Sequence, residues 1–311
     1  MNAGPLVEPL DGANTISASS DKRIGLIAGW GRYPILVAAG LRRKGYQVYC
    51  LGITGHADWA VAEHCRDFRF IGLARMGAHI RFFRRHGVQH VTMAGKIHKV
   101  LLFNRHYLWQ QMPDLKSIRT FFPHFITSQQ DRRDDTLLTA AIDGYRSGGL
   151  EILPATDLVP DLLIKPGQFS GGRLSDAQRQ DIQYGWKVAK QMGRLDIGQS
   201  VAVKGQSVLA LEAIEGTDQC IRRAGQLCKS GGFTIVKVAK PRQDMRFDVP
   251  TIGLSTLQTM VNAGAKVLAV EAHKTILVDQ AESIDFARRH DLHVVALRNE
   301  LIQSKTMRQA A

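Results

Sequence analysis

Short apolar runs alternate with stretches of helical pattern along the first half of the chain. The runs IGLIAG, QVYCLGI and VTMAG have the length and composition of buried strands, whereas YPILVAAGLRRKG and the segment around RMGAHIRFFRRHG are typical of helices. A crossover helix covers the sheet between two parallel strands, so this alternation indicates βαβ units. We therefore predict an α/β fold with a Rossmann-like N-terminal domain built on a parallel sheet.

The pattern changes at about residue 145, where YRSGG, ILPATDLVPDLLIKPG and FSGGR concentrate Gly, Pro and Ser as connecting segments do. Strand-like and helical runs then resume, among them VAVK, SVLALEA, TIVKVAK, LSTLQTMVNAG, KVLAVEA and LHVVAL. We predict a Rossmann-like domain over residues 23–155 and a distinct α/β domain over residues 156–311. Residues 1–22 lack the features of a secretory signal and are expected to form a flexible extension.

The amino-acid composition predicts that the binding partner carries negative charge. The 311 residues carry 41 Lys and Arg against 28 Asp and Glu, a formal charge of +13. This charge suits nucleic acid, phosphorylated metabolites or an acidic membrane surface alike. The four cysteines show no CxxC spacing, which indicates free thiols in a reducing cytoplasm. The histidines show no HExxH or HxH pattern, so a histidine-rich two-metal phosphoesterase site is not supported. The motifs GxSxG and GxxxxGK[ST] are also absent, so serine hydrolase and P-loop functions lose their main support.

The glycine-rich turn IAGWGRYP follows the first predicted strand. A dinucleotide site needs a third glycine and an acidic residue after the second strand, but here the third position is Pro34, and QVYCLGITG has no carboxylate. A helix with Pro34 in its first turn can still offer backbone N–H groups to a phosphate. The alternative is a tight turn without a ligand. A second turn, with Gly95 and Lys96, should face the same crevice at the carboxyl ends of the strands.

Two further polar clusters each have a structural and a functional interpretation. Asp131, Asp134 and Asp135 precede the helical run TLLTAAIDGYR and suit either helix capping or a site. In LEAIEGTDQCIRR, Thr217 and Asp218 stand between a strand and a helix. Either residue could be the N-cap, and the alternative is a polar contact to substrate.

The segment VKVAKPRQDMRFDVPTIG surrounds Asp248 with positive charge. Its cations are Lys237, Lys240, Arg242 and Arg246. If Pro250 begins a helix, the cap position falls on Val249, which leaves Asp248 poorly explained as a cap. A carboxylate among cations suits phosphoryl chemistry, in which it binds Mg²⁺ or positions the attacking water. The alternative is a surface aspartate paired with Arg246.

The basic aromatic stretch HIRFFRRHG, at residues 79–87, also has two interpretations. If it is helical, Phe82 and Phe83 with their neighbouring arginines could rest on an anionic membrane surface. The alternative is a core-packed helix with a solvated basic face.

Five stretches in this order, IAGWGRYP, AGK, RRDDTLL, QMGRLDIGQSVAVKGQSVLALEAIEGTDQCIRR and RFDVPTIG, resemble the LpxI type of UDP-2,3-diacylglucosamine pyrophosphatase from about residue 23 onward. The resemblance implies a Mg²⁺-dependent enzyme of lipid A biosynthesis. Such an enzyme hydrolyses UDP-2,3-diacylglucosamine to 2,3-diacylglucosamine 1-phosphate (lipid X) and UMP. It also implies a Rossmann-like N-terminal domain and a distinct catalytic C-terminal α/β domain, with the lipid held in a ligand cleft between them.

Roles for individual residues follow from the same resemblance, read beside the motifs above. Asp248 is the expected catalytic residue and the candidate Mg²⁺ ligand. The expected substrate-binding residues are Gly31, Gly95, Lys96, Thr217, Asp218, Lys237 and Lys240. The expected partner is the lipid-linked nucleotide sugar, and the expected state is a cytoplasmic homodimer with peripheral contact to the inner membrane.

Two other functions account for single features of the chain. The glycine turn alone would suit a nicotinamide-dependent oxidoreductase. The charge of +13 alone would suit a nucleic-acid-binding module. Because no recognition motif of the usual nucleic-acid modules is visible, we expect no nucleic-acid partner.

Overall fold

The computed structural model describes residues 22–97, 112–126 and 134–300. The predicted extension, apart from Lys22, and Asp131 lie outside this part of the chain. Every helix within these ranges is too short or too polar to cross a bilayer.

Five strands form a parallel sheet in the N-terminal half, in the order β3-β2-β1-β4-β5. The strands are β1 (Arg23–Ala28), β2 (Gln47–Ile53), β3 (Asp67–Ile71), β4 (His90–Ala94) and β5 (Glu151–Leu153). The chain reverses its winding direction between β1 and β4, and at such a switch point a doubly wound sheet forms its ligand crevice. The predicted parallel N-terminal sheet is confirmed.

Side chains alternate between the two faces of this sheet, as the period of two in a strand requires. In β1, Leu26 packs on one side against Val37 and Leu41, while Ile27 packs on the other against Phe83. The helices are α1 (Tyr33–Arg43), α2 (Met76–Arg85), α3 (Leu115–Ile126), α4 (Asp134–Arg146) and the short α5 (Ala155–Leu158).

The basic aromatic stretch forms α2, and its phenylalanines face the core. Phe82 is 5% exposed and Phe83 is fully buried, whereas Arg81, Arg84 and Arg85 are exposed. The core-packed helix with a solvated basic face is therefore correct. The membrane interpretation of these two phenylalanines is wrong, because their rings are already covered by the sheet.

Six strands form a separate, mixed sheet in the C-terminal half, in the order β6-β13-β11-β9-β7-β8. The strands are β6 (Gly167–Ser170), β7 (Ser200–Lys204), β8 (Ser207–Leu211), β9 (Phe233–Lys237), β11 (Ala265–Glu271) and β13 (His293–Leu297). Strands β9, β11 and β13 are parallel, whereas β6 and β7 run antiparallel to their neighbours. This confirms the predicted second α/β unit.

Helices cover both faces of the second sheet. The long helix α6 (Asp176–Arg194) buries Ile182 and Trp186 on one face and begins with a capping box between Ser175 and Gln178. On the other face lie α7 (Thr217–Leu227), α8 (Leu254–Ala263) and α9 (Gln280–Arg289).

The helix start expected at Pro250 is wrong. Thr251–Ile252 instead form the short strand β10, which pairs in parallel with β12 (Ile276–Leu277), and α8 begins only at Leu254. Two β-branched residues with a strand partner favour the extended backbone over a helical turn.

The small β10–β12 pair lies against the N-terminal half. Ile276 and Val278 belong to the core cluster that covers the α1 face of the first sheet. Ala155, the last residue of the predicted first domain, and Leu158, just after the boundary, pack in the same cluster. Apolar contact therefore joins the two halves of the described chain.

Candidate active site

The two glycine turns of the N-terminal sheet meet at its switch point. Gly29 N donates to Ala94 O at 2.8 Å, and Trp30 and Lys96 exchange two backbone hydrogen bonds of 2.9 and 3.0 Å. A Cβ on Gly95 would lie 2.8 Å from the carbonyl carbon of Gly29, so this glycine permits the close approach of the two loops. The pairing brings Lys96 to the carboxyl ends of β1 and β4, as the sequence predicted.

Gly31 differs from Gly95. A Cβ at Gly31 would meet no atom within 4 Å, but its φ of +103° is a conformation that other residues rarely adopt. The helix that follows, α1, starts after Arg32 without a side-chain cap and carries Pro34 in its first turn. Its first N–H groups therefore have no side-chain partner, which fits the expectation that this turn can face an anion.

Lys237, the last residue of β9, occupies the centre of the polar cluster in the C-terminal half. It is 5% exposed, and its Nζ donates to Thr217 Oγ1 and to Thr251 O, both at 3.0 Å. Burial lowers the pKa of Lys237 because the ammonium loses its hydration, and the positive charge of Lys96 lowers it further. The carboxylates of Glu212, Asp218 and Asp248 oppose that decrease in the pKa.

These electrostatic effects show which predicted residues the fold gathers. Lys96, in the turn after β4, and Lys237, at the end of β9, lie near enough for the charge of Lys96 to affect the pKa of Lys237. Asp218 and Asp248 act on the same ammonium, and Thr217 contacts it directly. Residues from both halves of the chain therefore share one site.

Neither Thr217 nor Asp218 caps the helix that they begin. The N-cap of α7 is Gly216, which has no side chain, so the predicted capping role is wrong. Asp218 instead accepts a hydrogen bond from Thr256 Oγ1 of α8 at 2.8 Å. This bond joins the first turns of α7 and α8, and α8 also begins without a side-chain cap, after Gly253. Two helix N-termini, each favourable for an anion, thus lie side by side next to Lys237.

Asp248 lies in the loop between β9 and β10. Gln243 Nε2 donates to Asp248 Oδ2 at 2.6 Å, and Lys240 Nζ is 3.8 Å from the same oxygen. Arg246 is not its partner, because that guanidinium forms a two-pronged pair with Asp244, with Nη2 to Oδ2 at 2.6 Å. The alternative of a surface Asp248 paired with Arg246 is therefore wrong.

The residues on either side of Asp248 fix the loop against the first domain. Phe247 packs on the core cluster of the α2 face, and Val249 packs on the cluster of the α1 face. The Asp248 carboxylate between them remains 43% exposed. The sequence supplies an anchor on each side and leaves the carboxylate available for chemistry.

Lys240 completes the predicted set. Its Nζ binds Asp196 Oδ1 at 2.5 Å in addition to its longer contact with Asp248. Its backbone N–H donates to Gln243 Oε1 at 3.0 Å, so Gln243 braces both ends of the loop. Lys240 is thus partly neutralised, unlike the buried Lys237.

Sequence reasoning missed four residues at this site: Asp196, Glu212, Gln243 and Thr256. Glu212 directly follows β8 and is 8% exposed. The single signal in the sequence was its position five residues before Thr217, to which it is hydrogen bonded. Asp196 and Thr256 reach the site through contacts between elements far apart in the chain, whereas Gln243 contacts Lys240 and Asp248 within its own loop.

The acidic cluster before α4 stays a prediction. Asp134 and Asp135 begin that helix, but their side chains lie outside the described part of the structure, as does the whole of Asp131.

The residues fit a Mg²⁺ ion held jointly with substrate. No group of three or more His, Cys, Asp or Glu residues in the described ranges could hold a metal ion alone. Mg²⁺ usually takes one or two carboxylates together with substrate phosphates, so such a group is not required. The hydrogen bond and the ion pair of the Asp248 carboxylate both involve Oδ2. Oδ1 therefore suits an ion shared with a phosphate.

The fold and the site define an α/β protein with two large sheets that gathers lysines, uncapped helix N-termini and an exposed aspartate where the two halves of the chain meet. The chain belongs to the LpxI family: residues 23–162 match the LpxI N-terminal domain, and residues 165–295 match the LpxI C-terminal domain. It is 29% identical over 285 residues to UDP-2,3-diacylglucosamine pyrophosphatase LpxI of Caulobacter vibrioides, an alignment that covers 89% of this chain and 98% of that protein. The resemblance stated from the motifs is thereby confirmed.

Proposed function

We propose that this protein hydrolyses the pyrophosphate bond of UDP-2,3-diacylglucosamine in lipid A biosynthesis and releases 2,3-diacylglucosamine 1-phosphate and UMP. The observation that carries the proposal is the buried Lys237, held by Thr217 and Thr251 beside the uncapped N-termini of α7 and α8, with the charges of Lys96 and Asp248 near enough to affect its pKa. A lysine with a free donor beside two helix N-termini attracts an anion. The name of the Caulobacter relative supplies the class of that anion.

Hydrolysis of a pyrophosphate requires positive groups that neutralise the negative charge of its oxygens. Lys96, Lys237 and the first turns of α7 and α8 would bind the pyrophosphate oxygens, which lowers the negative charge that repels an attacking water. Because Asp248 carries a half-exposed carboxylate, it can accept a hydrogen bond from that water and orient it. Apolar contacts between the two halves would exclude bulk water from the bound phosphates.

Mg²⁺ belongs to the same proposal. When bound, the ion supplies further charge neutralisation at the phosphoryl oxygens. Asp248 would hold it through Oδ1, while Gln243 and Lys240 keep Oδ2 oriented. Removal of divalent cations with a chelator should abolish hydrolysis, and added Mg²⁺ should restore it.

The remaining partners are also part of the proposal. The lipid substrate favours a cytoplasmic enzyme that contacts the inner membrane peripherally, which flotation with anionic vesicles would test. A homodimer would use apolar surface such as Trp59, which is 65% exposed, and Phe70, which is 43% exposed on the edge strand β3. Light scattering on the purified protein would measure the oligomeric state.

The test of the function is release of UMP from UDP-2,3-diacylglucosamine in the presence of Mg²⁺. Wild-type protein should release UMP, and Asp248→Asn should lower the rate by about 10³-fold because the carboxylate can no longer orient water. The matched control is Asp285→Asn, on the outer face of α9, where the carboxylate is 67% exposed and pairs only with Arg288 in the described structure. Absence of UMP release by the wild type would refute the function, and full activity of Asp248→Asn would refute the role of Asp248.

A further inference from the structure

A chain of three side chains links a buried carboxylate to the buried ammonium of Lys237. Thr217 Oγ1 lies 2.8 Å from Glu212 Oε1 and 3.0 Å from Lys237 Nζ. An ammonium can only donate, so the threonine hydroxyl must accept from Lys237 and give its own proton to Glu212. The direction of both hydrogen bonds is thus fixed by chemistry.

Burial of these two charged side chains lowers the free energy of unfolding, so a functional reason for it is expected. Glu212 is 8% exposed and Lys237 is 5% exposed, so both charges are removed from water. Glu212 Oε2 is buried and has no hydrogen-bond partner in the described structure. A buried polar atom without a partner carries the full penalty of its desolvation. A pair that existed only to stabilise the fold would satisfy both oxygens.

The hydrogen-bond donors of Lys237 indicate what this burial achieves. An ammonium has three N–H groups, and two of them go to Thr217 Oγ1 and Thr251 O. Within the described residues no acceptor takes the third. With two donors held by fixed partners, the third has a defined direction rather than free rotation.

We propose that Glu212 is a positioning residue that acts through Thr217 to hold the Lys237 ammonium with one donor directed at a phosphoryl oxygen of the substrate. The inference rests on the proposed function for the identity of that substrate. The geometry of the three side chains stands without it.

The charges that face Lys237 determine how the positioning can be tested. Glu212, Asp218 and Asp248 are the anions that act on it, Lys96 is the cation, and Glu212 has the largest effect among these charges. Burial has already lowered the pKa of Lys237, and Glu212 opposes that decrease. Replacing Glu212 by a neutral residue should therefore lower the pKa of Lys237 further, so that the ammonium deprotonates at a lower pH.

The decisive variant is Glu212→Gln, which keeps the shape and removes the charge. We expect the pKa of Lys237, measured from its ¹⁵N side-chain signal in the substrate-free protein, to fall below its wild-type value. The alkaline limit of kcat/KM should move down by the same amount, so that activity lost at high pH returns at lower pH. A purely structural role would instead lower kcat/KM equally at every pH.

The control for the charge is Glu215→Gln. Glu215 lies in the same loop, but its carboxylate pairs with Arg223 at 2.9 Å. The Glu215→Gln variant should therefore leave both the pH profile and the Lys237 signal unchanged. A second pair tests the bridge without altering any charge. Thr217→Val should lower kcat/KM by about tenfold or more, because Lys237 loses an acceptor, whereas Thr217→Ser should recover most of that loss.

Two results would overturn the proposal. One is a Lys237 pKa that does not move in Glu212→Gln, and the other is a Glu215→Gln variant that behaves in the same way as Glu212→Gln. Failure of the proposed function is a separate result, namely no UMP release by the wild type. The Lys237 signal would still decide the positioning role in that case, with inorganic pyrophosphate as the probe: it should shift the signal in the wild type and do so more weakly in Glu212→Gln.

Discussion

In the N-terminal half His79 is fully buried and uses both ring nitrogens, with Nδ1 2.7 Å from Tyr145 Oη and Nε2 3.0 Å from Gly72 O. In the C-terminal half Lys237 is nearly as buried, yet one donor of its ammonium has no acceptor in the described structure. Both groups have a lowered pKa caused chiefly by burial. The pKa alone therefore does not separate a structural group from a functional one.

Hydrogen-bond accounting does separate them. His79 sits in a closed set of partners, because Gly72 O must accept from Nε2–H and leaves Nδ1 to accept from Tyr145. Lys237 has an unused donor, a neighbouring unpartnered oxygen on Glu212 and the like charge of Lys96 close by. The N-terminal half thus supplies mainly a rigid frame and one lysine, and the C-terminal half supplies most of the charged groups.

The largest expected effect is at Gly95, which allows the two glycine turns of the N-terminal half to pack closely. In Gly95→Ala the new Cβ would lie 2.8 Å from the Gly29 carbonyl carbon and 2.9 Å from Trp30 O, in a backbone with φ of +96°. Overpacking and left-handed strain together should lower the free energy of unfolding by about 3–4 kcal/mol. Urea unfolding measures this loss.

Gly31→Ala is the matched control for Gly95→Ala. Its φ of +103° is similarly strained, but its Cβ would enter open space. Strain alone should cost about 1–2 kcal/mol. Equal losses in the two variants would show that close packing of the two glycine turns does not distinguish them.

The next largest effect is the loss of stability at acidic pH that His79 causes. Burial lowers the pKa of His79 to about 4, below the usual value of about 6.5 that it has in the unfolded chain. The folded state therefore binds fewer protons, so stability is complete above about pH 6.5 and falls as the pH drops toward about 4. The loss from this group should reach about 3 kcal/mol.

A pair of variants isolates that contribution of His79. His79→Gln should be less stable than wild type at neutral pH but should lose about 3 kcal/mol less on acidification, as followed by urea unfolding at several pH values. His290→Gln, at an exposed position after α9, should keep the wild-type pH dependence. Loss of UMP release in folded His79→Gln at neutral pH would contradict the division between frame and chemistry.

The sequence predicted the frame better than the site. The strands around IGLIAG, QVYCLGI and TIVKVAK were visible because each carries its own apolar pattern, and the two glycine turns followed from their strand ends. Thr251 and Ile252 were expected in the first turn of a helix that begins at Pro250, because nothing local reveals their strand partners, Ile276 and Leu277. Asp248 and Lys237 could be nominated individually.

The arrangement of the site depends on long-range contacts that no local pattern contains. The charge of Lys96 acts on Lys237 only because the two halves of the chain pack together, and Gln243 became relevant only once its loop was folded back on Asp248. Glu212 looked like an ordinary strand-end residue until its burial and its bond to Thr217 were known. Side-chain chemistry was therefore predictable one residue at a time, but the network was not.

The smallest expected effect is at the exposed ion pair between the two halves. Arg32 Nε and Nη2 bind the two carboxylate oxygens of Asp279 at 3.0 and 3.1 Å, but the Arg32 side chain is 61% exposed. Water and salt screen such a pair, so Arg32→Ala should lower the free energy of unfolding by at most about 1 kcal/mol. The halves are then joined mainly by apolar contacts such as those of Ile276 and Val278.

A double-mutant cycle tests that conclusion about the ion pair. Asp279 has a φ of +45°, so the second variant is Asp279→Asn, because asparagine tolerates the left-handed backbone and removes only the charge. Here Arg32→Gln should replace Arg32→Ala so that most of the side chain remains. The coupling free energy should stay below about 1 kcal/mol and shrink in high salt. A coupling free energy above about 2 kcal/mol, unaffected by salt, would mean that the Arg32–Asp279 ion pair, rather than apolar packing, holds the N-terminal half against the C-terminal half.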